Sequence, residues 1–182
     1  MRRRVRDGFT LVEAAVLVCV VGVVLAVGVP TFLRAFRRSR SSEAVEMLGA
    51  LAHAAESYYE KRWRRLGERR VSRCLPPAAG PTPETPTVDR VEVDFSAASV
   101  EGHETWEALG FDPRGGTRFS YKFEPVASGC DVVPQPSQHL YRARAYGDLD
   151  GDGELSTFER RTRFRDGRLV GASSLWVRDG VE

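Results

Sequence analysis

The sequence predicts an α+β protein: one long N-terminal helix, membrane-spanning over its first half, packed against a head of roughly four antiparallel strands. Three observations carry this. About twenty apolar residues run almost unbroken near the N-terminus, an apolar stripe at three- and four-residue steps continues beyond them, and strand-like alternation fills the last third of the chain.

The apolar run comes first. From Ala14 to Leu33 only Thr31 is polar, and at about 1.5 Å per helical residue this length matches the roughly 30 Å hydrocarbon core of a bilayer. Arg2, Arg3, Arg4 and Arg6 precede it and would hold the N-terminus on the cytoplasmic side. Arg34, Arg37, Arg38 and Arg40 follow it, so charge counting alone nearly balances. An ordinary secretory signal shares the basic start and the small-residue stretch Ala26-Val27-Gly28. Glu13 argues against that reading, because a charge at membrane depth costs roughly 2.5 kcal/mol or more and a disposable signal has no use for it.

The string Gly8-Phe9-Thr10-Leu11-Val12-Glu13 and the apolar run behind it resemble the prepilin leader of type IV pilins and of the pseudopilins of type II secretion. The resemblance implies the pilin fold, cleavage by a membrane prepilin peptidase between Gly8 and Phe9, and methylation of the Phe9 amine. It makes Glu13 the fifth residue of the mature chain, whose carboxylate pairs with the terminal amine of a neighbouring subunit. Pro30 falls where pilins commonly carry a helix-loosening proline, and its missing N–H and ring clash are expected to kink or locally melt the helix. The partners implied are other pilin subunits in a homo- or hetero-oligomeric filament, the peptidase and the inner-membrane assembly machinery. The implied location is the bacterial inner membrane, single-pass with the N-terminus inside, then the periplasm or a cell-surface filament.

Beyond the membrane span, Ala44, Val45, Met47, Leu48, Leu51, Ala54, Ala55, Tyr58, Tyr59 and Trp63 form the apolar stripe, with Glu43, Glu46, Glu56, Glu60 and Lys61 on the other face. One helix is expected from Phe9 to about Leu66, ended near Gly67. The divisions are therefore a leader (1–8), a membrane and filament-core half-helix (9–33), an amphipathic half-helix (34–66) and a head (67–182). The remaining chain suffices for one modest core.

Net charge is +2; a leader of four arginines and Asp7 removes three positive charges on cleavage, leaving the mature side chains at −1. No global electrostatic partner follows. Locally, Arg62, Arg64, Arg65, Arg69 and Arg70 surround Trp63, a pattern that could bind phosphates and stack a base, so nucleic acid is a possible partner. A helix C-terminus also favours cations, and the acids at Glu92, Asp94, Glu101, Glu104 and Glu107 offer neutralising partners, which makes an intersubunit role the alternative.

Pro76 to Pro86 reads as an extended surface loop, too proline-rich for helix or central strand. A short helix or turn is expected around Glu104 to Leu109, then a turn over Gly110 to Gly116. Strands are expected at Arg118–Glu124, His139–Tyr146, Leu155–Phe164 and Arg168–Val177, with Asp166-Gly167 as a hairpin turn.

Cys19 lies in the apolar run. Cys74 and Cys130 lie in the exported head, where oxidation would close a loop of about 57 residues, worth roughly 4 kcal/mol on the chain-entropy model. A zinc site combining them with His103 and His139 is the alternative. The segment Asp148 to Glu159 satisfies D-x-D-x-D-G followed by five residues and Glu. Asp148, Asp150 and Asp152 would bind calcium through carboxylates, Glu154 through its backbone carbonyl, Ser156 through water and Glu159 bidentately; if the exit is extended, Glu159 points away and affinity falls towards roughly 0.1 to 1 mM. No phosphate loop, nucleophile arrangement or organic-cofactor motif is visible, so the chain reads as structural and not as an enzyme.

Overall fold

The computed structural model describes residues 9–61, 72–132, 139–165, 168–170 and 175–180. The chain divides into two compact units, Met1–Phe36 and Arg37–Glu182.

In the first unit helix α1 (Leu11–Glu60, continuing into the second unit) contains a 23-residue stretch, Leu11–Leu33, long and apolar enough to cross a membrane. Its large side chains are exposed. The helical assignment runs through Pro30 without interruption, so the expected local melting does not occur. A proline deletes a single ladder hydrogen bond, and next to it the Thr31 hydroxyl donates to the Val27 carbonyl at 2.7 Å. The described helix runs to Glu60, just after Tyr59, which is buried and whose hydroxyl donates to the Val132 carbonyl at 3.0 Å; the expected end near Leu66 lies outside the described residues.

In the second unit the predicted stripe is the core face of α1. Ala44, Leu48, Leu51, Ala55 and Tyr59 are buried, while Val45, Met47, Ala54 and Tyr58 pack at its margins. Glu43 and Glu56 depart from the expected solvent face. Glu56 accepts from the Thr162 hydroxyl at 3.2 Å, and Glu43 is enclosed by arginines described below. Acids satisfied by long-range donors are indistinguishable in periodicity from acids facing water.

The sheet runs β2 (Ala79–Thr82), β3 (Ser120–Pro125), β5 (His139–Gly147), β6 (Ser156–Arg165), with β7 (Arg168–Val170) and β8 (Leu175–Arg178) both paired to β6, all antiparallel. The fourth expected strand is thus two segments. The Asp166-Gly167 turn lies outside the described residues, although Arg165 pairs with Arg168 across it. A separate ladder joins β1 (Cys74–Leu75) to β4 (Gly129–Cys130).

Strand β2 corrects the reading of Pro76 to Pro86 as a loop. It sits on the sheet edge, where the missing N–H of Pro81 costs nothing. Gly80 is required there: its φ is +83°, and an added Cβ would lie 2.2 Å from the Tyr121 carbonyl oxygen. Helix α2 (His103–Leu109) closes on Gly110 in the left-handed region, with the Phe111 N–H returning to the Trp106 carbonyl at 2.9 Å. Trp106 packs with Phe95, Phe111 and Tyr121 in an aromatic cluster with ring centroids 5.2 to 6.4 Å apart, and its indole N–H donates to Thr82.

Candidate functional site

Three places carry the residues singled out by the sequence. At the start of α1, Gly8 lies outside the described residues and Phe9 is exposed. The Glu13 carboxylate accepts the Thr10 backbone N–H at 2.9 Å and the Thr10 hydroxyl at 2.8 Å through one oxygen, while the Glu13 N–H donates back to the Thr10 hydroxyl at 3.2 Å. This reciprocal arrangement is a capping box. It folds a charged group into the first turn of an apolar helix and supplies two neutral donors. No cation reaches it among the described residues.

The second place is the disulfide. Cys74 and Cys130 are bonded and sit opposite each other in the β1–β4 register, with Cα atoms 3.9 Å apart. Both thiols that zinc coordination with His103 and His139 requires are thereby consumed. Cys19 is a free, exposed cysteine on α1.

The third is the Asp-rich loop between β5 and β6. Ligand atoms from Asp148, Asp150 and Asp152 lie within 4.8 Å of one another. Asp148 accepts from the N–H groups of Gly151 at 2.7 Å and Gly153 at 3.3 Å, and Asp152 accepts from the Glu154 N–H at 2.8 Å. Glu154 is exposed and Ser156 is buried in β6.

Glu159 corrects the expected ligand set. Because the loop exits into a strand rather than a helix, Glu159 lies opposite Arg144 on β5, its side chain 3% exposed and its carboxylate bound by Arg144 at 2.6 Å and by Arg161. Burial pushes its carboxyl up, but the bonds from both arginines outweigh this and hold it below the ordinary 4.5. It is spoken for by the sheet.

Arg62, Trp63, Arg64, Arg65, Arg69 and Arg70 lie outside the described residues. Nearby, the Arg73 guanidinium stands 5.7 Å from the Tyr59 ring centroid. Sequence reasoning missed two groups: Glu43 with its arginines, and a cationic sheet face carrying Arg142, Arg144 and Arg161. Alternation in β5 already placed Arg142 and Arg144 on one side, but only the register adds Arg161 and Trp176 to them.

Comparison with known proteins agrees with the fold. The chain is 26% identical over 125 residues, 69% of its length, to the type IV major pilin protein PilA of Myxococcus xanthus (strain DK1622). It is 32% identical over 59 residues, 32% of its length, to the fimbrial protein EcpC of Eikenella corrodens. The matches span about two fifths of each relative's own length, 40% and 39%. No family profile matches the chain, and no solved structure does. The names of these relatives, the long apolar N-terminal helix and the antiparallel head are consistent with the resemblance to type IV pilins that the N-terminal motif carries.

Proposed function

We propose that the chain is a structural subunit of a type IV pilus-like filament, held by α1 in the inner membrane as a precursor and cut between Gly8 and Phe9 before assembly. The observation that carries this reading is a single carboxylate, Glu13, capped by its own Thr10 inside a stretch able to span a bilayer. The capping donors are neutral, so the charge still lacks a compensating cation, and the freed Phe9 amine of an adjacent copy supplies one. Two opposite charges that each cost several kcal/mol in low dielectric compensate when they meet. Burial of the exposed apolar side chains of α1 between copies adds cohesion. The relatives' names, a major pilin and a fimbrial protein, favour a fibre subunit over a secretion pseudopilin or a ligand-binding minor subunit.

The test is the mass of the N-terminal peptide from fibres sheared off cells. The expected peptide begins at Phe9 with a methylated amine. Absence of the chain from the fibre fraction, or recovery with residues 1–8 attached, overturns the reading.

The Asp-rich loop adds a cation site to this proposal. Asp148, Asp150 and Asp152 are hard oxygen donors suited to calcium, but without Glu159 the loop must complete six to eight ligands with carbonyls and water, which puts its affinity near roughly 1 mM. At about 10 mM calcium, mass action then stabilises the fold by about 1.4 kcal/mol. The purified full chain in detergent is expected to melt about 3 to 5 °C higher with calcium than with a chelator. An unchanged melt removes the site.

A further inference from the structure

We propose that the outer face of the sheet docks onto an acidic side, centred on Val93, of a second copy of this chain. The proposal rests on the filament reading and adds to it the contact between heads.

The register builds the first surface. Lys122, Arg144, Glu159 and Trp176 form one row across β3, β5, β6 and β8, and Arg142 lies opposite Arg161 in the next. These side chains point away from α1, since the alternate residues carry the core contacts: Tyr141 reaches the Ala52 carbonyl and Thr162 reaches Glu56. On this outer face Glu124 and Glu159 are engaged by Lys122, Arg144 and Arg161. Positive charge is left in excess at Arg142, which is exposed; Arg178, 63% exposed, is paired only with the similarly exposed Asp179 at 3.4 Å. Trp176 is 50% exposed beside them, an amphipathic anchor of the kind enriched at protein interfaces.

The second surface is its complement. From Glu84 to Asp112 the chain carries eight carboxylates and one arginine, Arg90, which is engaged by Glu43. Two open hollows of about 540 and 440 Å³ share Val93 as a lining residue. Glu92, Asp94 and Asp112 line the first together with Arg114; Glu84 and Glu101 line the second, whose walls include Pro81, Pro83 and Val100. Apolar walls rimmed by carboxylates suit an indole and the aliphatic stems of arginine, with the guanidinium ends meeting the acids. Glu124 and Glu159 interrupt the cationic face, which suits a protein surface of mixed charge better than a phosphate backbone. Because the two surfaces differ, their pairing is head-to-tail and propagates into an open filament when the rotation does not close.

Cells expressing the full chain test this by charge exchange. Arg142→Glu with Arg178→Glu, or Glu92→Arg with Asp94→Arg, is expected to lower the count of surface fibres at least about tenfold, since like charges in apposition cost several kcal/mol. All four changes together should restore most of the count. A photo-reactive residue at position 176 in the otherwise unchanged chain should cross-link to a peptide within 84–112 of another copy. Normal fibre counts in both charge variants, or adducts mapping only outside 84–112, overturn the docking. Loss of single-stranded DNA capture by the arginine variant with fibres intact would assign the face to nucleic acid and also overturn it. Glu13→Ala, run alongside, separates the two levels: if it too leaves fibres normal, the filament reading falls; if it abolishes them while the charge variants do not, only the docking proposal falls.

Discussion

Replacing Glu43 with alanine is expected to destabilise the unit Arg37–Glu182 by about 3 kcal/mol, the low end for breaking a buried ion pair. One oxygen of this carboxylate accepts the Thr117 hydroxyl at 3.1 Å and the Arg118 N–H at 3.0 Å. The other accepts Arg90 at 3.1 Å and the Arg118 guanidinium at 3.1 Å. The side chain is 11% exposed and that of Arg118 only 19%, so truncation strips the counter-charge from a poorly hydrated guanidinium that keeps only the Val88 carbonyl, leaves the Thr117 hydroxyl with only the Phe119 carbonyl, and leaves the Arg118 N–H without its acceptor. What is lost is also topological. Glu43 sits on α1, whereas Arg90 and Arg118 flank the bridge between Val91 and Thr117, so the carboxylate fixes that irregular segment to the helix.

At about 2 to 4 °C per kcal/mol for a unit of this size, the full chain in detergent should melt about 6 to 12 °C lower. Glu43→Gln keeps an acceptor but loses both ion pairs and should fall between the two. Glu46→Ala, exposed on the same helix, should stay within about 0.5 kcal/mol of the parent. Equal melting of the Glu43 and Glu46 variants would show that the cluster contributes nothing.

Glu43 also marks what the sequence left hidden. Periodicity identified the buried stripe from Ala44 to Tyr59 because apolar side chains at three- and four-residue steps have one physical use. It assigned Glu43 to water because Arg90 and Arg118, distant in sequence, are adjacent only after folding. Strands β3, β5 and β6 were legible from alternation, and α2 from its flanking turn residues. Strand β2 was not, since prolines that forbid a central strand are tolerated on an edge. The cysteine pairing was a reading from export and oxidation, and the structure contains that bond. The Asp-rich motif was legible for Asp148, Asp150 and Asp152, which the structure brings together. It failed for Glu159, because the twelfth position points at the cation only when a helix follows, and here β6 turns the carboxylate towards Arg144 and Arg161.

The N-terminal motif was the most specific signal, and the structure adds a distinction that sequence does not make. Glu13 has two separable capacities, accepting Thr10 donors as a helix cap and carrying a negative charge in an apolar segment. Removing a cap costs about 1 kcal/mol and would leave assembly largely intact. Under the proposed joint, removing the charge deletes the partner of the neighbour's terminal amine, and that amine would enter the filament core uncompensated, at a cost of several kcal/mol. Each 1.4 kcal/mol is about tenfold in an association constant, so the second loss dominates at every contact along a fibre. Glu13→Ala removes both capacities and should reduce surface fibres at least about tenfold, with the chain still present in the membrane.

Glu13→Gln separates the two, because its side-chain carbonyl still accepts from Thr10 while the charge is gone. The decisive measurement is the number of fibres on cells whose only copy of the chain carries Glu13→Gln. A count at least about tenfold below the parent, with normal amounts of membrane-held subunit, is the predicted result. A parental count would show that capping alone is needed at position 13, and it would contradict the carboxylate–amine joint on which the assembly account depends.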